Sequence, residues 1–254
     1  MSVIAVFNET DGVGKTTTSV NLLAGIAQRK QRPLGIDLDP QAHLSSAFGA
    51  HPSLAGDSVY AFFVEERSLA EIAQITKSGV VLCPAHVDLA QLDRRIGRGV
   101  AAVTRLRLAL SAPDATPGPV VIDCCSLLGV LSLNAIFACD VLIVPVSSDY
   151  LAFQGAQQVE RTLNALEPVF KRRLPRRYLL TRFDESNRMS VEVAELMAMS
   201  LRPEEICSTR IAETVNLAER SVQLFDGLRD APPSRGARDY QALVDELVGA
   251  GFVP

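Results

Sequence analysis

The strongest constraint on this chain lies near its amino end, where "VIAVFNETDGVGKTTTSVNLL" runs from residue 3 to residue 23. Val3 to Phe7 are apolar without alternation, the pattern of a strand buried on both faces. A turn with Gly12 and Gly14 follows. Beyond it, Val20, Leu23, Ala24 and Ala27 recur at i, i+3, i+4 and i+7, one face of a helix. A strand, a glycine turn and a helix opening at Lys15 leave few folds open. Main-chain amides of residues 12–17 (Gly12, Val13, Gly14, Lys15, Thr16, Thr17) can converge on an anion, with the positive end of the helix behind them. In that context Lys15 reaches the β- and γ-phosphates of a nucleotide, and the Thr16 hydroxyl ligates Mg²⁺. The approach is irregular: the pattern GxxxxGK[ST] places glycine at position 9, and this chain has Glu9, Thr10 and Asp11 before Gly12.

The same alternation continues. Apolar runs at 34–39, 79–83, 119–124, 141–146 and 177–183 read as further buried strands, separated by expected helices at 87–111, 129–138, 151–167, 189–200 and 236–249. Strands alternating with helices predict an α/β fold: a doubly wound, mostly parallel sheet with helices on both faces. With 254 residues, 48% of them hydrophobic, the chain can bury one large core, and residues 1–254 are read as a single domain. "SAPDATPGP" at 111–119 is a loop leading straight into a strand. The start "MSVIAVFNET" lacks a signal peptide's basic opening, and five cysteines without CxxC spacing fit a reducing interior, so a cytoplasmic protein is expected.

Two more strand ends carry acid. In "GIDLDPQ", Asp37 and Asp39 stand two apart at the end of a strand, where i and i+2 share a face, so both are expected to project together at the carboxyl edge. "PVVIDCC" delivers Asp123 from an apolar strand. Ligands of doubly wound sheets bind at that edge. Lys15–Thr16, the paired aspartates and Asp123 together point to Mg²⁺-nucleotide.

"DGVGKTTTSVNLL", "IDLDPQAHLSSAFG", "VVIDCCSLLGVLSLNAI" and "VLIVPVSSDYLAFQGAQQV" resemble successive blocks of the ParA/MinD family of deviant Walker A ATPases, on the ParA side. The resemblance extends through "LLTRFDESNRMSVEV" to "SRGARDYQALVDELV". It implies a weak ATPase with ATP and Mg²⁺ as cofactors, a metal set by Thr16, Asp39 and Asp123, and an attacking water positioned by Asp39. Lys15 and Asp39 are then the catalytic pair. It also implies nucleotide contacts from Asp11 through Thr17, adenine contacts from Asp184 and the segment after Ile211, a homodimer in the ATP state, and hydrolysis stimulated by a ParB-like or other cargo adaptor. The chain departs from the family where KGGxGKT is usual: Thr10 stands at the signature lysine and Asp11 at the first glycine, with Cys125 at a customary proline. A cation lost from a phosphoryl-transfer site costs roughly 10³–10⁵ in rate. The candidate substitutes are Arg94, Arg95, Arg98, Arg182 and Arg188. Cys124 and Cys125 read as small buried residues at a strand end.

The net charge of −4 advertises no nucleic-acid binding, so the distribution of arginine matters more than its total. "KRRLPRR" at 171–177 is the densest cationic stretch, either a solvated connection or a DNA patch of Lys171, Arg172, Arg173, Arg176 and Arg177. Arg202 and Arg210, with Arg220, Arg229, Arg235 and Arg238, would join it. ParA-type dimers hold DNA without sequence preference, which implies nucleoid association; no helix-turn-helix precedes the first strand, so operator binding is not expected. The final helix carries Leu243, Val244, Leu247 and Val248 on one stripe but Asp239, Asp245 and Glu246 as charges, which argues for packing on the core and against an anionic membrane. Three rival readings stand: a nucleotide-bound scaffold without hydrolysis, favoured by Thr10; an ATP-dependent amide-forming enzyme of the dethiobiotin or cobyrinate synthase type; and an iron–sulfur electron carrier resembling nitrogenase reductase.

Overall fold

Along each central strand the side chains divide between two cores with period two. From β1 (Val3–Val6), Val3, Ala5 and the following Phe7 enter one core, while Ile4 and Val6 enter the other. Val120 and Ile122 of β5 (Val120–Asp123) are likewise set against Val121. Both faces are therefore covered, and a continuous apolar run is the result. The computed structural model describes residues 2–97, 99–112, 118–213 and 235–254. Besides β1 and β5, the sheet contains β2 (Leu34–Asp37), β3 (Gln74–Ile75), β4 (Val81–Cys83), β6 (Val141–Ser147) and β7 (Arg176–Thr181). Their order is β3-β4-β2-β5-β1-β6-β7, parallel except for the antiparallel edge pair β3–β4. The expected doubly wound α/β fold is present.

In chain order the α-helices among the described residues are α1 (Lys15–Gln28), α2 (His43–Ala47), α3 (Val59–Val64), α4 (Leu69–Ile72), α5 (Leu92–Arg95), α6 (Val100–Val103), α7 (Arg105–Leu110), α8 (Val130–Ala138), α9 (Tyr150–Phe170), α10 (Arg188–Ser200) and α11 (Arg235–Gly249). The single helix expected over 87–111 is broken: a 3-10 turn at Val87–Gln91 precedes α5, and Gly97, with φ of +66°, separates α5 from α6. The predicted strand at 79–83 begins only at Val81, because Gly79, with φ of +82°, turns the chain just before it. The short helix α3 was not anticipated; "VYAFFV" has strand-like composition, but Ser58 caps it by accepting from Tyr60 N, and Phe62 and Phe63 are buried.

α11 lies on the core as its stripe predicts. Tyr240, Leu243, Val244 and Leu247 are buried with Leu22, Leu23 and Ile26 of α1. Tyr240 Oη also lies 3.1 Å from Thr18 Oγ1, and Glu246 accepts from the amides of Ser208 and Thr209. No helix among the described residues is long and apolar enough to cross a membrane.

Candidate active site

The loop between β1 and α1 is held at the carboxyl edge by contacts from two neighbouring strands. Asn8 Nδ2 donates to Pro145 O on β6 at 2.7 Å and its Oδ1 accepts from Thr10 N; Thr181 Oγ1, ending β7, donates to Val13 O at 2.8 Å. Glu9 has no positive φ, and its carboxylate is turned back toward Thr162 Oγ1 of α9, 3.4 Å away. Glycine is therefore not required at position 9. It is required further on, where Gly12 and Gly14 take φ of +74° and +90°. Among the described residues, the amides of Gly12 to Thr17 donate to no acceptor, and the first helical bond is Thr18 N to Gly14 O at 2.9 Å. Donors converging without partners make a cradle for an anion.

Lys15 is 7% exposed, and its Nζ donates to Thr10 O and Ser126 Oγ, both at 2.7 Å. Thr16 Oγ1 donates to Asp123 Oδ2 at 2.7 Å, and Ser19 Oγ donates to Asp123 Oδ1 at the same distance. Asp123 is fully buried on the strand beside Asp37, with which it is in register. Burial first, then the charge of Asp37, pushes the Asp123 carboxyl up to about 8; burial raises Asp37 to about 6. No cation among the described residues touches Asp123. A buried carboxylate served only by hydroxyls, beside empty anion donors, suits a divalent metal carrying phosphate, so Thr16 and Asp123 fit Mg²⁺ and the amides with Lys15 fit the nucleotide.

The two aspartates of "DLD" part company. β2 ends at Asp37, so the shared-face rule no longer applies at Asp39. Asp37 is buried and accepts from Ser45 N at 2.8 Å and Ser45 Oγ at 2.6 Å, tying α2 to the sheet. Asp39 is half-buried and faces a cavity of about 300 Å³ that Asp11, Asp93, Cys125, Ser126 and Leu127 also line. The Asp11 carboxylate is 86% exposed, accepts from Ser126 Oγ and lies 3.7 Å from Lys15 Nζ. Cys124 is buried, but Cys125 is only half-buried and opens to the cavity, a correction to the buried pair expected.

Position 10 is shaped by α9. A Cβ added at Gly155 would stand 2.1 Å from Thr10 Oγ1, so the Thr10 side chain lies directly on the helix backbone. Of the substitute cations, Arg182 pairs with Glu213 at 3.0 Å, Arg188 with Glu192 at 2.7 Å, and Arg95 donates to Tyr60 Oη at 2.8 Å. Arg94 is exposed; Arg98 lies outside the described residues. Asp184 is exposed and accepts from Ser186 N and Oγ, bonds that lower its pKa. The segment after Ile211 is described only to Glu213.

The cationic stretch requires a correction. Arg176 is wholly buried and bonds Glu160 and Glu167 of α9, each at 2.7 Å. Arg173 bonds Glu205 at 2.6 Å, Glu160 at 3.0 Å and Glu167 at 3.1 Å. Neither is free to meet a phosphate, because carboxylates of α9, joined by Glu205 at Arg173, already compensate both. Lys171, Arg172, Arg202 and Arg210 are exposed and Arg177 is half-buried. Arg177 lies over the Phe252 ring and Arg210 over the Phe183 ring. Arg235 and Arg238 are exposed, while Arg220 and Arg229 lie outside the described residues.

Sequence reasoning missed Ser126, Ser19, Thr181 and Gly155. Ser19 was within reach, being one helical turn after Lys15; the other three depend on the tertiary fold.

A family model described as an AAA domain matches residues 1–175. The sporulation initiation inhibitor protein Soj of Bacillus subtilis is 31% identical, covering 98% of this chain and 99% of its own length. The chromosome partitioning protein ParA of Caulobacter vibrioides is 34% identical over 77% of this chain and 74% of its own. Among solved structures, cobyrinic acid a,c-diamide synthase of Mycobacterium smegmatis, with bound ADP and magnesium, superposes with a TM-score of 0.82 at 28% identity, covering 98% of this chain and 94% of that one.

Proposed function

This chain belongs to the ParA/MinD family of ATPases, and from that premise we propose that it is a ParA-like positioning ATPase. It takes Mg-ATP at the loop, dimerises in the nucleotide-bound state, holds DNA without sequence preference and carries a cargo until a ParB-like or other adaptor stimulates hydrolysis. Residues 1–254 act as one such domain, in the cytoplasm on the nucleoid.

One observation carries the nucleotide part: partnerless amides from Gly12 to Thr17 stand beside buried Lys15 and the Thr16–Asp123 pair. Magnesium, when bound, supplies the positive charge that Asp123 otherwise lacks. Lys15 holds the phosphates, Thr16 and Asp123 hold the metal with Asp39, and Asp39 orients water at the cavity. With Thr10 at the signature position, turnover is slow. Lys171, Arg172, Arg177, Arg202 and Arg210 supply the DNA contacts, Asp184 an adenine contact.

Phosphate release with and without DNA, beside the Asp39→Ala variant, tests this reading. Release that requires Asp39 supports an ATPase; equal rates for both proteins make the chain a nucleotide-bound scaffold. The solved synthase favours a second reading, ATP-dependent amide formation. Release stimulated by glutamine and a carboxylic acid substrate, and indifferent to DNA, would establish that one instead.

A further inference from the structure

Asp11 stands where the family has glycine, and its side chain is engaged with the phosphate-binding lysine. Lys15 Nζ has three protons to donate. Two go to Thr10 O and Ser126 Oγ, and Asp11 Oδ1 is the anion in ion-pair contact with it at 3.7 Å. The single proton of the Ser126 hydroxyl is donated to that same carboxylate. Lys15, Ser126 and Asp11 therefore form a closed triangle in which a carboxylate occupies the ammonium. Two other carboxylates line the cavity, but both have separate employment: Asp39 accepts from Gln41 N, and Asp93 accepts from Val130 N at the start of α8.

We infer that Asp11 is a specificity-determining residue: its carboxylate competes with the terminal phosphate of a nucleoside triphosphate for Lys15 and Ser126, and so favours the diphosphate. This rests on the nucleotide reading above and deepens it. Each phosphate brought to the ammonium meets the carboxylate already there, so the penalty grows with the number of phosphates that Lys15 must serve. The exposed side chain, followed by Gly12 with open space around its α-carbon, can swing away once displaced. The competition is therefore a bias and leaves the triphosphate able to bind.

Calorimetric titration of the full chain with ADP and with a non-hydrolysable ATP analogue, both with magnesium, tests this in wild type, Asp11→Asn and Asp11→Gly. The Asn variant keeps an acceptor for Ser126 and removes only the charge. The expected result is a gain of roughly fivefold in analogue affinity for both variants, the upper end for an exposed ion pair, with ADP changed by less than about twofold. Parallel changes for the two nucleotides would overturn the inference. A selective loss of analogue affinity would also overturn it, since Asp11 would then serve the triphosphate through the metal. If neither nucleotide binds any of the three proteins, the nucleotide reading itself falls, and this inference with it.

Discussion

The loop edge and the α9–β7 flank both announce themselves in sequence as concentrations of charge, and they use it in opposite ways. At the flank, Glu160 accepts from Arg173, Arg176 and Tyr178, while Glu167 and Glu205 complete the partners of the two arginines. The pairs there are closed, and the network joins α9, β7 and the 3-10 turn Pro203–Glu205. At the loop edge, amides lack acceptors and Asp123 lacks a cation among the described residues. Charge that the fold itself compensates marks structure; polar groups left unmatched at a strand edge mark a place for something from outside.

That contrast predicts different failures. Arg176→Ala leaves Glu160 and Glu167 without their buried partner and should destabilise the protein by about 3–5 kcal/mol, read from urea unfolding. Nucleotide affinity of the surviving folded protein should be unchanged, and a selective loss of affinity would join the two regions. Thr16→Ala should do the reverse: roughly a tenfold loss of nucleotide affinity in magnesium, little change in EDTA, and a smaller stability loss of about 1–2 kcal/mol from the bond to Asp123.

A pH titration sharpens the difference further. Burial alone would raise the Glu160 carboxyl, but bonds from Tyr178, Arg176 and Arg173 prevail and bring it down to about 2. A depressed carboxylate stabilises the fold above its unfolded pKa of about 4.3, and that contribution is lost as pH falls toward 2. The loss should be about 1–2 kcal/mol after solvent screening, and Glu160→Gln should flatten it. The smallest effect concerns DNA. Removing Arg172 should reduce the slope of log K against log salt by about 0.9, while Arg173→Lys, compensated internally, should leave the slope alone.

The sheet was legible in sequence because both faces are buried, so each strand shows as an unbroken apolar run. The loop was legible because its chemistry is local: Gly12, Gly14, Lys15 and Thr16 lie within five residues. What escaped is long-range. Nothing near Arg176 says that Glu160 and Glu167 lie beside it, and "KRRLPRR" therefore resembled a solvent-facing patch. Asp37 and Asp39 look equivalent in "DLD", yet the strand ends between them and Ser45 captures the first. Ser126 acquires a role only because β5 brings it beside Lys15.

The most direct measurement is equilibrium binding of labelled ATP with magnesium to the wild-type protein and to Lys15→Ala. Saturable binding to wild type, weakened at least about tenfold in a variant that melts normally, is the expected result. Undiminished binding to the variant, or none to wild type at millimolar nucleotide, would contradict the assignment of the unmatched loop edge as a nucleotide site.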